Sequence, residues 1–265
     1  MRSGYWQDLT TEDFAALDAE RCVALLPVAA IEQHGPPLPL STDATINAGI
    51  VRRTLDKLPD EVTLLVLPAQ TVGDSAEHSD FPGTLSAASE TLIALWSELG
   101  AWVARAGLRK LVIFNSHGGQ TQIVDIVALR LRMEHEMMVV RANSFRFGVP
   151  PGLFDEREVK QGIHGGAVET ALMLHLAPEL VRREAIRDFP PLAREMEQSF
   201  SLLSPQGPGA FAWASQDLNP AGVCGDATAA SADKGAGLLE HISDGLVTLV
   251  EELQRAPLSL LRGKP

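Results

Sequence analysis

The sequence predicts an α/β protein with a three-layer α/β/α sandwich, in which helices cover both faces of a mostly parallel central sheet. Short apolar segments rich in β-branched residues, typical of buried strands, alternate along the chain with segments of helical periodicity. Such alternation indicates right-handed crossovers between parallel strands. Because neither a linker nor an internal repeat divides the sequence, we expect residues 1–265 to form one domain.

The predicted strands are runs of apolar residues that have the length and composition of buried strands. They are residues 22–30, 62–70, 111–115 and 137–141. Helical patterns occur at residues 45–58 and 119–134, where the chain must cross from one parallel strand to the next.

Two further predicted helices have recognisable caps and apolar stripes. Ser86 is a candidate N-cap for a helix whose apolar residues fall on one face: Leu92, Leu95, Trp96, Leu99, Trp102 and Val103. Ser231 is a candidate cap for the last helix, which carries a second stripe: Leu239, Ile242, Leu246, Leu249, Val250 and Leu253. We expect this last helix to cover the sheet.

Composition and charge narrow the classes of function. With 265 residues, 45% of them hydrophobic, the chain can bury a core without a structural metal, so a bound metal is expected to be catalytic. The formal net charge of −12 argues against nucleic acid as a partner, because an acidic surface repels phosphate. The N-terminal residues lack the apolar core of a signal peptide, and no stretch approaches the length of a membrane helix. We therefore expect a soluble, cytoplasmic protein with no membrane partner.

The first cluster of candidate metal ligands follows the first predicted strand. Glu32 and His34 are two residues apart, so on an extended chain their side chains point to the same side. Gly35 allows the chain to turn, and Asp43 arrives at the start of the next predicted helix. Two carboxylates and one imidazole that converge in this way suit a divalent ion of the zinc or manganese kind. Asp43 alone would be a good N-cap, but charged groups at the end of a buried strand need a partner.

His117 occupies the equivalent position after the predicted strand at residues 111–115. In open α/β sheets the functional residues gather beyond the carboxyl ends of the strands, so we expect His117 and Glu32 to lie close together. Gly118 and Gly119 follow, and their bare backbone N–H groups could face an oxyanion at the start of a helix. A phosphate-binding loop is not indicated, because the lysine and the full glycine spacing are missing.

Two other segments give weaker signals for chemistry. His164 comes just before a helix that we predict to begin at Gly166, and Glu169 falls in its first turn. Taken singly, such a histidine is more often a surface residue, and such a glutamate more often interacts with the helix dipole. The loop at residues 71–83 also concentrates acidic, imidazole and hydroxyl groups. We expect about half of them to hold the loop by hydrogen bonds between side chain and backbone.

Four segments, taken together and in order, resemble the creatininase family, also called creatinine amidohydrolases. They read LPVAAIEQHGPPLPLSTDATIN, GDSAEHSDFPGTLS, FNSHGG and HGGAVET, and they extend from Leu26 to Thr170, with a weaker similarity at residues 222–234. Their order and spacing both agree with the family, which makes the combined signal specific. The resemblance implies a three-layer α/β/α sandwich that usually assembles as a hexamer. It also implies two divalent ions, bridged by an aspartate and a water.

Carried onto this sequence, the resemblance assigns a role to each candidate. Asp43 corresponds to the bridging aspartate, Glu32 and His117 would hold one ion, and His34 would hold the other. Zn²⁺ is the expected metal, with Mn²⁺ or Fe²⁺ as alternatives. His164 corresponds to the histidine that creatinine-hydrolysing members use for proton transfer.

The sequence departs from the creatinine-hydrolysing members at two places. Those members have a metal-binding glutamate two residues after the histidine of the third segment, where this chain has Gly119. We expect Glu169 to supply that carboxylate; otherwise the second ion would be weakly held. Those members also close the pocket with tryptophans, whereas residues 144–162 offer only Phe145, Phe147 and Phe154 as aromatic groups. Creatinine is therefore not the expected substrate.

The expected function is hydrolysis of a non-peptide C–N bond in a small cyclic amide or formamide by a metal-activated water. A bound ion can lower the pKa of water from about 15.7 toward about 7. His164 would protonate the leaving nitrogen, and Glu77 or His78 would orient the substrate or support the ligands. By the same resemblance the chain would form a homo-oligomer.

Three alternatives remain open from the sequence. The family has a peptide-trimming branch linked to mycofactocin, which would act on a peptide. A binding protein that has kept the fold and lost catalysis is conceivable because of Gly119, since a fold alone does not determine function. A serine hydrolase using Ser75 would leave Glu32 and His117 unexplained, and no GxSxG motif is present.

Overall fold

A five-stranded sheet forms the middle layer of the molecule in the computed structural model, which describes residues 3–262. Its strands are β1 (Gly4–Tyr5), β2 (Cys22–Val28), β3 (Thr63–Val66), β4 (Lys110–Asn115) and β5 (Met138–Asn143). They are ordered β1-β3-β2-β4-β5, and each pairing within this sheet is parallel. The predicted α/β architecture with a mostly parallel sheet is confirmed, and this sheet is parallel throughout.

Helices of very different length surround the sheet. Within residues 3–262 the α-helices are α1 (Thr11–Ala15), α2 (Thr42–Lys57), α3 (Ser89–Arg105), α4 (Thr121–His135), α5 (Glu156–Gln161), α6 (Ala167–Leu176), α7 (Leu192–Met196), α8 (Ser215–Leu218) and α9 (Ala232–Arg255). Two-residue strands outside the main sheet are β6 (Asp188–Phe189), β7 (Leu203–Ser204), β8 (Gly209–Ala210) and β9 (Gly225–Asp226). β6 pairs with β9 and β7 pairs with β8.

The two faces of the sheet are covered by different helices, which gives the three layers. Along β2, Val23 and Leu25 pack in a core shared with α2, α6 and α9. Ala24 and Leu26 point to the opposite face and pack in a core shared with α3 and α4. Because both faces are covered, β2 is buried along its whole length, which explains its uninterrupted apolar sequence.

The predicted strands agree with the structure in position and differ at their ends. β3 ends at Val66 rather than at Gln70, because the chain leaves the sheet there and makes only an isolated bridge between Gln70 and Val28. β5 continues to Asn143. The short strand β1 has no counterpart in the prediction, because two residues carry no detectable periodicity.

The helix predicted after Ser86 differs from the expectation at its start and on its outer face. α3 begins at Ser89, and the Ser86 hydroxyl instead accepts a hydrogen bond from the backbone N–H of Ser75. Its apolar residues do not all share the buried face, since Leu95 is 40% and Trp102 is 62% exposed. The predicted stripe therefore includes two residues, Leu95 and Trp102, that lie outside the buried face of this helix.

The last helix, α9, agrees with its prediction. The Ser231 hydroxyl accepts a hydrogen bond from the backbone N–H of Lys234 and so caps the helix. The predicted stripe faces the core, with five of its residues buried: Leu239, Ile242, Leu246, Val250 and Leu253. Within residues 3–262, none of the helices has the length and apolar character needed to cross a membrane.

The carboxyl ends of β2 and β4 lie side by side, and this edge positions the candidate site. Val28 at the end of β2 pairs with Asn115 at the end of β4. The side chain of Asn47, from the second turn of α2, donates hydrogen bonds to the carbonyl oxygens of Val28 and Phe114 at 3.3 and 3.2 Å. The start of α2 is thereby fixed to the ends of both strands.

Candidate metal centre

Glu32, Asp43 and His117 come together at this edge of the sheet from three separate elements. The Nδ1 atom of His117 lies 3.2 Å from Oε1 of Glu32 and 3.3 Å from Oδ2 of Asp43. All three side chains are buried. Each offers one ligand atom within 4.8 Å of the others, a spacing that a single metal ion can bridge.

A second group of possible ligands shares Asp43 with the first. The Nε2 atom of His34 lies 3.3 Å from Oδ1 of Asp43 and 3.7 Å from Oε2 of Glu169. Asp43 therefore presents one carboxylate oxygen to each group, as expected of a bridging ligand. It does not cap α2, because Ser41 occupies the N-cap position. As predicted, Glu169 lies in the first turn of a helix, α6, whose N-cap is Gly166.

The chemistry of these atoms fits a pair of cations. Among the described residues, Oε2 of Glu32, Nε2 of His34 and Oδ2 of Asp43 are buried without a hydrogen-bond partner. A buried charged oxygen without a partner is costly, and a buried cation would offset that cost. The residues present are therefore suited to hold divalent ions.

The orientation of both imidazoles is set by backbone carbonyl groups. Nδ1 of His34 lies 3.1 Å from the carbonyl oxygen of Glu32, and Nε2 of His117 lies 2.7 Å from that of Asp74. A carbonyl oxygen only accepts, so these nitrogens carry the proton and donate. In the neutral form of each ring the other nitrogen directs its lone pair toward the carboxylates, which is the tautomer that a metal ligand requires.

The charges of the site shift the pKa values of its ligands. Burial lowers the pKa of His34, but the hydrogen bond and charge of Asp43 outweigh it and raise that pKa to about 9. Burial also lowers the pKa of His117, and here Glu32 and Asp43 raise it well above its usual value. Burial alone would raise the pKa of Glu32, yet His117 and the other nearby histidines hold it well below its usual range. Positive charge is thus strongly favoured between the carboxylates, whether as protons or as metal ions.

His164 and His78 stack beside the two ligand groups. Their ring centroids are 4.4 Å apart, and the His164 ring lies 4.2 Å from that of His34. Nε2 of His164 contacts the carbonyl oxygen of Gln33 at 2.7 Å, while Nδ1 lies 3.8 Å from Oε1 of Glu32. His164 also forms a third possible ligand group with Glu32 and His34.

Both of these histidines are favoured in the neutral form. Burial, followed by the charge of His34 and His78, lowers the pKa of His164 well below its usual value. Burial is also the main cause that lowers the pKa of His78 to about 4, and Glu32 opposes it. The pKa of Glu169 is raised to about 7, because the effect of burial outweighs the attraction of His34 for the charged carboxylate.

Glu77 lies behind His117 and occupies the space that a side chain at position 119 would need. Its Oε1 atom is 3.7 Å from Nε2 of His117 and 3.9 Å from Nε2 of His78. A Cβ atom added to Gly119 would overlap that oxygen and lie 2.7 Å from Nε2 of His117. The Glu77 carboxylate therefore fills the space next to Gly119, on the side of His117 that faces away from Glu32 and Asp43, while the Glu169 carboxylate comes next to His34.

Buried amide side chains, which the sequence did not single out, hold the loops that carry these ligands. The Asn115 side chain donates to the carbonyl oxygen of His117 at 2.7 Å and accepts from its backbone N–H at 3.1 Å. The Gln120 side chain donates to the Asn115 side chain at 2.9 Å and to the carbonyl oxygen of Ala29 at 3.3 Å. The turn at His117 is thus joined to the chain that leads from β2 to Glu32.

The side chain of Gln33 likewise fixes the chain between Glu32 and His34 by hydrogen bonds. Its Nε2 atom lies 2.5 Å from the carbonyl oxygen of Gly222, 2.8 Å from Nδ1 of His78 and 3.2 Å from Nε2 of His164. Its Oε1 atom accepts from the backbone N–H of Gly35 at 2.9 Å. The sequence signal for such residues is weak, because a single amide next to a ligand has no period or spacing of its own.

Glu158 was also missed, although it is buried and fixes the segment that carries His164. Its carboxylate accepts hydrogen bonds from the backbone N–H groups of Ala167 at 2.9 Å and Asp226 at 2.7 Å. The same two segments are joined by the N–H of Cys224, which donates to the carbonyl oxygen of His164 at 2.8 Å. Glu158 therefore connects α5, the start of α6 and β9.

The structure also places the phenylalanines of residues 144–162 and Ser75, the nucleophile of the serine-hydrolase alternative. Residues 144–162 do not supply an aromatic wall: Phe154 is part of the core next to α9, Phe147 packs against that core, and Phe145 is 51% exposed. The cavity beside His34 is lined instead from the loops around residues 36–40 and 81–82. Ser75 is fully buried, and its hydroxyl makes no hydrogen bond to any residue within 3–262, so it lacks the base that a nucleophile needs.

Comparison with known proteins places this geometry in a wider context. A family model for creatinine amidohydrolases, the creatininase family, matches residues 7–250. The chain is 30% identical over 244 residues to a mycofactocin precursor peptide peptidase of Mycobacterium ulcerans, with 89% of this chain and 88% of the relative covered. It is 27% identical over 268 residues to a creatinine amidohydrolase of Pseudomonas putida, with 95% and 97% covered.

A solved structure agrees with these sequence matches. A creatininase with manganese in its name superimposes with a TM-score of 0.78 and 27% identity, covering 96% of this chain and all of that one. The similarity therefore includes the sheet, both helical layers and the loops between them. The family resemblance predicted from the four segments is confirmed.

Proposed function

This chain belongs to the creatininase family, and we propose that it is a metal-dependent amidohydrolase acting on a non-peptide C–N bond of a small cyclic amide or formamide. The observation that carries this proposal is Asp43, whose two carboxylate oxygens face His34 and His117 separately. A carboxylate in that position suits a site with two ions.

Each ion has its own set of ligands in this proposal. Glu32, Asp43 and His117 would hold one ion, and His34, Asp43 and Glu169 would hold the other. Mixed nitrogen and oxygen ligands of this kind suit Zn²⁺ best, with Mn²⁺ or Fe²⁺ as alternatives. Bound ions would supply a water that ionises near neutral pH and would polarise the substrate carbonyl group.

His164 is the proposed proton carrier. Its Nε2–H donates to the carbonyl oxygen of Gln33, so the Nδ1 atom, which faces Glu32, is free to take a proton. Because burial and the neighbouring histidines hold the pKa of His164 well below its usual value, the resting ring is neutral; it would take up the proton released by the attacking water and pass that proton to the leaving nitrogen. His78 and Glu77 lie next to it and would orient the substrate or support His117.

A second candidate function is removal of terminal residues from a peptide. It is favoured by the 30% identity to the mycofactocin precursor peptide peptidase of Mycobacterium ulcerans. The same ligands and the same proton carrier would serve this reaction, because a peptide bond and a lactam need the same water attack and nitrogen protonation.

The test is turnover of a substrate panel by the metal-loaded protein. Cyclic ureides, lactams, formamides and short peptides would be supplied to loaded and chelator-treated samples. We expect hydrolysis of at least one cyclic amide or formamide by the loaded sample alone. Hydrolysis restricted to peptides would support the second candidate, and two bound ions without any turnover would indicate a binding protein.

The variant His164→Ala separates proton transfer from metal binding. We expect it to retain its metal and to lose about 100-fold or more in kcat, because the leaving nitrogen no longer receives a proton. The matched control is His175→Ala, an exposed histidine on α6, which should keep full activity. Normal turnover by His164→Ala would contradict the role given to this residue.

A further inference from the structure

A cavity of about 390 Å³ opens directly beside His34. Its wall includes Gln33, His34 and Gly35, so it borders the segment that carries the candidate ligand His34. The remaining wall is formed by six residues from three loops: Pro36, Leu38, Leu40, Phe81, Pro82 and Ala221. A volume of this order is at the small end for ligand sites and holds one ring-sized or branched group. It is named the Phe81 cavity below.

The side chains that line the Phe81 cavity are apolar on the side away from His34. Leu38, Leu40, Phe81 and Ala221 have no hydrogen-bonding group, and the lining residues include no lysine, arginine, aspartate or glutamate. A charged group placed against these side chains would gain no partner of opposite charge. An apolar group would instead bury hydrophobic surface.

The side-chain amide in the wall, that of Gln33, already has hydrogen-bond partners. Its Oε1 atom accepts from the backbone N–H of Gly35 at 2.9 Å, and its Nε2 atom donates to the carbonyl oxygen of Gly222 at 2.5 Å. The same Nε2 atom also contacts Nδ1 of His78 at 2.8 Å. Gln33 therefore shapes the cavity and positions the histidines, and it does not offer a free amide to a polar ligand.

Two glycines hold the wall close to the metal centre. A Cβ atom on Gly222, whose φ is +75°, would lie 2.6 Å from Cζ of Phe81. A Cβ atom on Gly83, whose φ is +96°, would lie 2.7 Å from Cδ1 of Leu40. Both glycines allow the backbone to pass directly behind the apolar side chains, and a side chain at either position would displace Phe81 or Leu40.

We propose that the Phe81 cavity binds an uncharged aryl or branched alkyl group of the substrate, while the amide to be cleaved lies at the metal centre next to His34. This inference rests on the proposed function, since it assigns the substrate class of the same site. The enzyme then selects substrates whose acyl or amine portion is apolar and rejects those with a carboxylate at that position.

The experiment uses hydroxamates, which bind metal ions through two oxygen atoms and carry variable tails. Metal-loaded protein would be titrated calorimetrically with acetohydroxamate, 3-phenylpropanohydroxamate and succinohydroxamate. We expect the phenyl compound to bind at least about tenfold more tightly than acetohydroxamate, because its ring leaves water. Succinohydroxamate, which carries a carboxylate tail, should bind no more tightly than acetohydroxamate.

Two variants test whether the phenyl ring binds in the Phe81 cavity. Phe81→Ala and Leu40→Ala each remove part of the wall and should lower the affinity for the phenyl compound several-fold, with acetohydroxamate unaffected. Phe145→Ala is the matched control, because Phe145 is exposed and does not line the cavity. Either wall variant that folds is sufficient for the comparison.

The outcomes separate this inference from the proposed function. Equal affinity for the three hydroxamates, or a phenyl preference that persists in both wall variants, would overturn the assignment of the cavity and leave the metal centre intact. Loss of all hydroxamate binding in protein that contains its ions would also overturn it. Protein that takes up no divalent ion would overturn the proposed function itself.

Discussion

Asp43 is the residue on which the candidate centre depends. One of its oxygens lies 3.3 Å from Nε2 of His34 and the other 3.3 Å from Nδ1 of His117. It is buried at the start of α2 and is held there by the position of the helix, since Asn47 one turn later is bound to the ends of β2 and β4. A single side chain thus connects the two ligand groups.

The nearby Glu77 side chain, rather than the backbone conformation, explains why position 119 carries a glycine. A Cβ atom at position 119 would overlap Glu77 and crowd His117, whereas a Cβ atom on Gly118 would meet open space. The absence of a carboxylate at position 119 is compatible with two ligand groups, because Glu169 supplies a carboxylate next to His34.

The variant Gly119→Ala tests this explanation. We expect it to lower the free energy of unfolding by about 1–3 kcal/mol, the usual cost of overpacking, because His117 is fixed by the carbonyl oxygen of Asp74 and cannot easily move away. The matched control Gly118→Ala should change stability by less than about 0.5 kcal/mol. Chemical denaturation would measure the free energy of unfolding of both variants. Equal values would refute the close packing proposed at Gly119.

At the scale of elements, the segments that follow β2, β4 and β5 are organised by buried polar side chains. Glu158 is the clearest example, because it ties the start of α6 and the strand β9 to α5 through two backbone N–H groups. His164 lies between these contacts, so its position beside His34 depends on a residue that never touches the metal centre.

Replacement of Glu158 by alanine should therefore affect both stability and catalysis. We expect Glu158→Ala to lower the free energy of unfolding by about 3 kcal/mol or more, since each hydrogen bond to a charged group contributes about 1.5–3 kcal/mol. Turnover should fall in parallel, with bound metal retained through Glu32, Asp43 and His117. Glu156→Ala on the same helix is exposed and should cost less than about 1 kcal/mol. A fully stable Glu158→Ala protein would contradict this view of the loop.

The same elements show what a sequence can and cannot predict. Glu32, His34, Asp43 and His117 were found because ligands follow the carboxyl ends of parallel strands, a rule that needs only the local sequence. Glu158 and Phe81 were not found, because their contacts join segments far apart in the chain and leave no spacing to recognise. The positions of Phe145, Phe147 and Phe154 could not be predicted for a related reason: whether a phenylalanine faces a core or a cavity depends on helices that follow later in the chain.

At the scale of the whole molecule, one layer of the sandwich keeps an apolar outer surface. Leu95 and Trp102 on α3, and Ile126, Leu129 and Met133 on α4, are between 40% and 64% exposed. Apolar residues spaced three, four and seven apart form continuous patches on adjacent helices, and such patches commonly mark interfaces. They support the expectation that the chain forms a homo-oligomer.

Light scattering of the purified protein tests this expectation. We expect a mass that is a multiple of 28.5 kDa at micromolar concentration, and a lower mass for Leu129→Glu, which places a charge in the patch. Glu134→Gln on the same helix serves as a control outside the patch. A monomeric wild-type protein would contradict the expected assembly, and an unchanged mass in Leu129→Glu would place the interface elsewhere.

The account as a whole depends on two cations held around one shared carboxylate. Elemental analysis of purified protein, reconstituted with Zn²⁺ and dialysed, tests this most directly when wild type, Asp43→Ala and the exposed control Asp56→Ala are compared. We predict about two ions per chain in the wild type and in the control, and essentially none in Asp43→Ala, because both ligand groups lose their shared member. Two ions retained by a folded Asp43→Ala protein, or none in the wild type, would contradict the central claim.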